Sequence, residues 1–474
     1  MKTYILDQLP APPDLPGSEA SRGRHQRNRE LLLGGNWKKL LVSELQERLG
    51  TTRAAAVAKP DMSSNIMRTV ATQLAVLYDR IPALSADGDE EGAVKALMGA
   101  GGYWQVMSYV QRMVIGMNEG LVAIRPGAGG VPIYRYASPG YVVAEARADS
   151  PDIPVRLKEL RLKRKPEDQG LEWVWECWDA DPRSPSFHVE TIDGDDITAR
   201  YATDMDGQPV GARVGDAYPY RKQDGTPVLP YVLYHAQRTP RLFDAFEGVE
   251  LYEGSLAAAC GWSNWYHCHQ DASWPQRYTL GCAPAGAAGI EGNRHAVVSD
   301  PTTIMQLEQT DENATIATVG QWEAGSDPSM LADDLTKYEA RLASAFGISP
   351  SDILRVGGAA ARSGYAIALT QAGKRAAQQK MIPHYRRGDI AAASKTAAII
   401  NSAFGTTLTE SGFSIKYQPV PKTAAERDAD RRHVRELMQD GLMDKVDALV
   451  YLNHGLSREE ARRRLARIRT NNIV

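Results

Sequence analysis

Apolar positions recur at helical spacing over three stretches near the start of the chain. Over 29–49, Leu31, Leu32, Trp37, Leu40, Leu41 and Leu45 fall on one broad face. Over 64–78, Ile66, Val70, Leu74 and Leu77 repeat the pattern until Ile81-Pro82 stops it, and 103–117 predicts a third apolar helix. From 121 to about 238 the texture changes to short β-branched and aromatic segments. Residues 131–136, 141–144, 157–163, 172–178 and 228–235 are the clearest strands, and Asp193-Gly194, Asp206-Gly207 and Asp224-Gly225 mark turns between them.

Helical character then returns. Residues 244–271 contain no proline, and as a helix these roughly 28 residues would span about 42 Å. A Gly/Ala/Pro-rich segment follows Pro275, with short strand-like pieces at 296–299, 303–307 and 315–319. Asp327 reads as an N-cap with Pro328 at the first helical position, and Gly347 as the C-cap of a helix running to Phe346. After the small-residue stretch 348–362, a long helix is predicted over 363–404, with a kink or break at Pro383 because proline removes a backbone donor and clashes with the preceding turn. Residues 413–419 form a strand returning to some sheet. The end of the chain is helical, with Thr423-Ala-Ala-Glu426 and Ser457-Arg-Glu-Glu460 matching the capping box.

Composition narrows the class. A length of 474 residues predicts two to four domains, and 43% hydrophobic with 24% charged residues are the proportions of a folded protein. No apolar run approaches the ~20 residues of a membrane span, and the N-terminus lacks a signal peptide's apolar core, which predicts an intracellular product. The first two dozen residues, rich in Pro, Gly and charge, read as an arm. Four widely spread cysteines argue against a disulfide framework. A net charge of −3 argues against tight nucleic-acid binding, which usually needs a strongly basic surface. It leaves room for a surface past which DNA slides.

Catalytic and metal motifs do not emerge. The phosphate-cradling Gly-x-x-x-x-Gly-Lys-[Ser/Thr] is absent, as are His-Glu-x-x-His and Gly-x-Ser-x-Gly. His267-Cys268-His269 on a helix points its two imidazoles about 200° apart, so they do not share one ion. Cys260 and Cys268 stand about 12 Å apart on the same helix, too far to bridge. Ser363 is explained by a helix N-cap rather than a nucleophile. Trp262, Trp265 and Trp274 suit a core or subunit interface better than a base-stacking platform. Arg462-Arg463-Arg464, with Arg467 and Arg469, reads equally well as a phosphate contact and as a solvated helix end.

The order of parts resembles the portal, or head–tail connector, proteins of tailed bacteriophages, and the resemblance covers nearly the whole chain. Asn65-Ile-Met-Arg-Thr-Val-Ala-Thr-Gln-Leu resembles the family's N-terminal wing helix, and Gly225-Thr-Pro-Val-Leu-Pro-Tyr-Val its step into a wing strand. Glu339-Ala-Arg-Leu-Ala-Ser-Ala-Phe-Gly-Ile-Ser-Pro350 is similar to the family's helix end before a tunnel loop, and Ser363-Gly-Tyr-Ala-Ile-Ala-Leu369 to the start of its long helix. Tyr451-Leu-Asn-His-Gly-Leu-Ser-Arg-Glu-Glu-Ala461 resembles a short helix, turn and capping box of its C-terminal region. The resemblance implies an α+β portal-type fold: arm and mixed α/β wing over 1–243, first stem helix 244–272, β-containing clip 273–326 and second stem helix 327–347. A tunnel loop over 348–362, the long kinked helix and returning wing strand over 363–422, and a helical crown over 423–474 complete it.

The same resemblance implies a non-enzymatic ring of about twelve copies, closed by heterologous interfaces. Its channel would pass double-stranded DNA, held weakly and without sequence preference, during packaging and ejection. Partners would be a large terminase ATPase, the major capsid protein and a head–tail adaptor. No cofactor, metal or membrane is implied, and the ring would assemble in the host cytoplasm and reside at the virion's portal vertex. Arg355, Val356, Gly357, Gly358, Ala359, Ala360, Ala361 and Arg362 would reach the channel, with Arg355 and Arg362 as phosphate contacts and Pro383 bending the long helix. The loop between the two arginines is uncharged, a departure that makes any contact there steric. Two other readings stand beside this one. One is another head–tail morphogenesis ring protein, such as an adaptor or baseplate ring, although the length and the long helix pair argue against a small adaptor. A metal-dependent nucleic-acid enzyme would need carboxylates on Mg²⁺, for which Asp195-Asp196 and Asp333-Asp334 are candidates that read more simply as a turn and a solvated helix face.

Overall fold

The computed structural model describes residues 28–34, 37–57, 65–87, 92–147, 150–165, 170–201, 218–236, 242, 248–273, 277–280, 282–284, 307–309, 318–321, 327–348, 364–418, 424–453, 456 and 458–471. The chain runs through α1 (Trp37–Leu49), α2 (Thr51–Ala56), α3 (Ile66–Leu74), β1 (Ala83–Ala86), α4 (Ala93–Ala100) and α5 (Tyr103–Met117). Next come β2 (Glu119–Pro126), β3 (Pro132–Ala137), β4 (Val142–Arg147), β5 (Ser150–Arg164), β6 (Leu171–Asp179), β7 (Ser186–Glu190) and β8 (Tyr231–His235). Then follow α6 (Gly248–Ser273), β9 (Arg277–Leu280), β10 (Cys282–Pro284), β11 (Leu307–Gln309), β12 (Thr318–Gln321) and α7 (Pro328–Ala345). The chain ends with α8 (Gly364–Phe404), β13 (Phe413–Lys416), α9 (Ala424–Gln439), α10 (Lys445–Leu452) and α11 (Arg458–Asn471). The architecture is α+β, with small antiparallel sheets and long helices. Residues 1–34, 67–252 and 343–474 form one compact unit, and residues 35–66 and 253–342 form a second.

The first unit is organised around β2. Its residues 119–124 are all buried, without the in–out alternation of a half-exposed strand. β2 is central in the sheet β3-β2-β8, and α5 and α8 pack on that sheet. Asn118 ends α5 in the left-handed conformation (φ 64°), the helix stop for which a short amide side chain is suited. A second sheet, β4-β5-β6-β7, is antiparallel throughout. Its register shifts where Pro154 meets Ala146, since proline has no N–H for the ladder.

One expectation needs revision and two are narrowed. The single helix over 29–49 is interrupted, because Gly34 takes φ 77° after helical residues 28–33, and the next described helix begins at Trp37. The chain stays helical through Pro383, so of the two outcomes foreseen a break does not occur. The strand expected to return to a sheet is β13, and its partner is β1, where Ser85 and Ser414 hydroxyls lie 2.8 Å apart. The expected pieces at 296–299 and 303–306, the Asp206-Gly207 turn and the capping residues Thr423 and Ser457 lie outside the described residues.

In the second unit α6 and α7 run antiparallel. Gly254 faces the Leu342 side chain and Gly261 faces Leu335, so two glycines seven residues apart receive two leucines seven residues apart. Beyond α6, β9 pairs with β12 and β10 with β11, a nested pair of antiparallel ladders.

Candidate functional site

The segment from α6 to α8 is built by local rules. At the start of α7, Asp327 Oδ1 accepts from Ser329 N and Ser329 Oγ, each at 2.8 Å, which satisfies helix-end donors and holds the carboxyl below its usual range. At its end Gly347 N donates to Ser344 O and Ile348 N to Ala343 O, with Gly347 at φ 75°: the paired bonds of a Schellman stop. Trp262 Nε1 donates to Glu339 Oε1 (2.7 Å) and Trp265 Nε1 to the Pro328 carbonyl (2.8 Å). Both indoles are therefore turned toward α7 with their polar edges satisfied, the packing role expected for them, and His269 stacks on Trp265. Trp274 lies outside the described residues.

After Gly347 the chain meets α8 at close quarters. A Cβ on Gly373 would collide with the Gly347 carbonyl, so only glycine allows this backbone approach. Nine helical residues, 364–372, precede Gly373 in α8, about 14 Å of helix. Lys374 Nζ donates to Gln73 Oε1 (2.6 Å) and Gln378 Nε2 to the Gln418 carbonyl (3.0 Å), pinning α8 just past the crossing. The contrast between glycines is testable by chemical denaturation. Gly254→Ala is expected to be near neutral, because the tip of Leu342 can turn aside and alanine gains up to ~1 kcal/mol of helix propensity. Gly373→Ala meets a backbone carbonyl that cannot turn aside and is expected to cost about 1–3 kcal/mol.

Farther along, α8 is locked by a buried carboxylate. Asp389 accepts from Tyr78 (2.9 Å), Tyr103 (2.6 Å), Tyr234 (3.0 Å) and Tyr417 (2.5 Å), so four separate segments converge on one side chain. Burial pushes Asp389 up to about 6 against the opposing pull of these hydroxyls. One turn apart, Tyr385 and Gly388 pack on the Tyr234 ring, and Ala392, Ala393, Ala397 and Ala398 keep the buried face of α8 narrow.

A second polar centre joins the two sheets. Glu176 on β6 receives Arg125 (2.9 Å), Arg161 (2.8 Å) and Lys163 (2.6 Å). Burial works against its charge, yet the three cations hold its carboxyl well below the usual range. Arg125 also bonds the Tyr231 hydroxyl (2.8 Å) and lies over the Trp178 ring at 4.7 Å, while Tyr231 donates to Glu159.

The predicted channel residues Arg355, Val356, Gly357, Gly358, Ala359, Ala360, Ala361 and Arg362 lie outside the described residues, as does Ser363. Arg462, Arg463, Arg464 and Arg467 are exposed on α11. Asp196 closes a turn on Thr198, and Asp333 and Asp334 face solvent on α7, so neither pair gathers into a carboxylate cluster among the described residues. No helix among the described residues is long and apolar enough to cross a membrane. Cys177, Cys260 and Cys268 are free thiols. No known family model matches the chain, and no curated protein matches it. Among solved structures it is similar to a chain described as the neck of a native GTA particle computed with C12 symmetry. That match is 12% identical, covers 85% of this chain and 90% of the other, and superposes loosely at a TM-score of 0.39.

Proposed function

We propose that this chain is the ring-forming subunit of a phage-type portal vertex, with α6 and α7 as stem helices and the paired strands β9–β12 as the clip. The observation that carries the reading is the sequence of parts between 248 and 404. An antiparallel helix pair interlocked at Gly254 and Gly261 encloses two short ladders, and a Schellman stop at Gly347 meets a 41-residue helix. Half-exposed apolar groups on the pair, Tyr266, Met330 (66% exposed) and Tyr338, suit contact with neighbouring copies. The ring would guide double-stranded DNA without gripping it, which accords with a net charge of −3. Residues 355–362 would face the bore, and the packaging ATPase, the capsid shell and a head–tail adaptor would dock on the assembled ring.

Light scattering on the purified chain tests the assembly. The expected mass is about twelve times the 51.9 kDa of one chain. A monomer or dimer that cleaves DNA with Mg²⁺ would overturn the reading.

A further inference from the structure

On the four-stranded sheet, the face opposite Glu176 and Trp178 carries a group of side chains that the channel reading leaves unused. Ladder register places Lys158, Cys177 and His188 in one row across β5, β6 and β7. Glu190, two residues beyond His188 on the same strand, points to the same face. The Cys177 sulfur, a His188 ring nitrogen and a Glu190 carboxylate oxygen lie within 4.8 Å of one another. Beside them is a cavity of about 150 Å³ lined by Lys158, Cys177, Asp179, Ser186 and His188. The thiol is buried, while His188 is a third exposed, so the row is reached from solvent on the β7 side.

We propose that Cys177, His188 and Glu190 form a binding site for one zinc-class divalent ion. A thiolate, an imidazole and a carboxylate are the borderline-soft donor set that zinc takes in tetrahedral geometry. Three protein ligands leave a fourth position, which the cavity opens to water. Adjacent strands hold cross-strand side chains about 5 Å apart, so two neighbouring positions and one on the next pleat can converge on a single ion without rearranging the backbone.

The ion-free arrangement shows what must be displaced. Glu190 Oε1 contacts His188 Nε2 at 2.6 Å, and its Oε2 accepts from Lys158 Nζ at 3.0 Å. Lys158 thus holds the position a cation would fill. Its side chain is about half exposed and can swing into water at small cost. On binding, the Cys177 S–H bond breaks and its proton leaves to solvent as the S–metal bond forms. His188 gives the lone pair of one ring nitrogen and Glu190 exchanges the ammonium for the ion, with no change of oxidation state.

The probe is Co²⁺ titrated into the full-length protein and read by visible absorption. The expected result is one equivalent per chain with tetrahedral d–d bands and a thiolate-to-cobalt charge-transfer band, and Zn²⁺ bleaching both. His188→Gln, a substitution of similar size at a position a third exposed, should weaken binding by more than about 100-fold, beyond the 10–100-fold typical of an outer-shell partner. Cys177→Ala should abolish the charge-transfer band and Lys158→Met should tighten binding. A band that persists in Cys177→Ala but vanishes in Cys268→Ser would overturn the site. So would Co²⁺ affinity unchanged in His188→Gln.

Discussion

Glu176→Ala is expected to destabilise the first unit by about 3–5 kcal/mol, the largest loss of any single substitution considered. The carboxylate is fully buried and receives Arg125, Arg161 and Lys163, so its removal leaves cationic groups at the sheet–sheet junction without their counter-charge. Arg125 retains the Tyr231 hydroxyl, which limits the damage, while Lys163 is deeply placed and loses an ion pair. Glu176→Gln keeps an acceptor for one donor and should cost less. The pH dependence has a definite sign. Because the folded carboxyl sits below its ordinary value, its stabilisation is present above the unfolded value of about 4.5 and is lost as pH falls through the folded one. Denaturant titration followed by tryptophan fluorescence reads both effects. A loss under about 0.5 kcal/mol for Glu176→Ala would refute the role given to this centre.

Asp389 behaves in the opposite sense. Burial raises its folded value to about 6 from an ordinary 3.8, so the folded protein takes up this proton more readily than the unfolded chain. Its contribution is therefore most favourable below pH 4 and declines as pH rises through 6. The two values imply a decline of roughly 3 kcal/mol over that window. Asp389→Asn removes the titration while keeping the shape. The stability of the natural chain relative to this variant should fall between about pH 4 and pH 6.5 and then level off. Parallel pH curves would contradict the assignment. Asp389→Ala leaves the hydroxyls of Tyr78, Tyr103, Tyr234 and Tyr417 facing an empty position and should be strongly destabilising at every pH, as is usual when a buried hydrogen-bond partner is deleted.

The parts legible in the sequence are those whose signals are local. The apolar period of 103–117 is α5, Asp327-Pro328 opens α7, and Gly347 closes that helix. The strands over 131–136 and 172–178 appear within one residue of their expected ends, because alternation and turn residues fix them locally, while 157–163 is only the second half of the longer β5, which begins seven residues earlier at Ser150. What stayed hidden depends on pairing across long stretches of chain. β1 was not foreseen, since four residues, Ala-Leu-Ser-Ala, gain a strand only by meeting β13 more than three hundred residues later. Asp389, preceded by Arg386-Arg387-Gly388, reads as one more surface charge on a helix, and the tyrosines that enclose it are scattered from 78 to 417. Glu176 stands in an alternating strand where a charge reads as solvent-facing. It is buried because the other sheet covers that face. Cys177, His188 and Glu190 become neighbours only through the β6–β7 register.

The two polar centres bear on the proposed role. A subunit whose long helix is fastened by Asp389 and whose two sheets are joined through Glu176 has a rigid frame on which ring contacts can be repeated at one angle. The central claim is that such copies close into a ring around an axial channel. Negative-stain electron microscopy of the purified full-length chain tests it most directly. Axial class averages are predicted to show a closed ring of about twelve subunits with a central hole. Images of compact monomers or dimers, or of open filaments without a channel, would contradict the account.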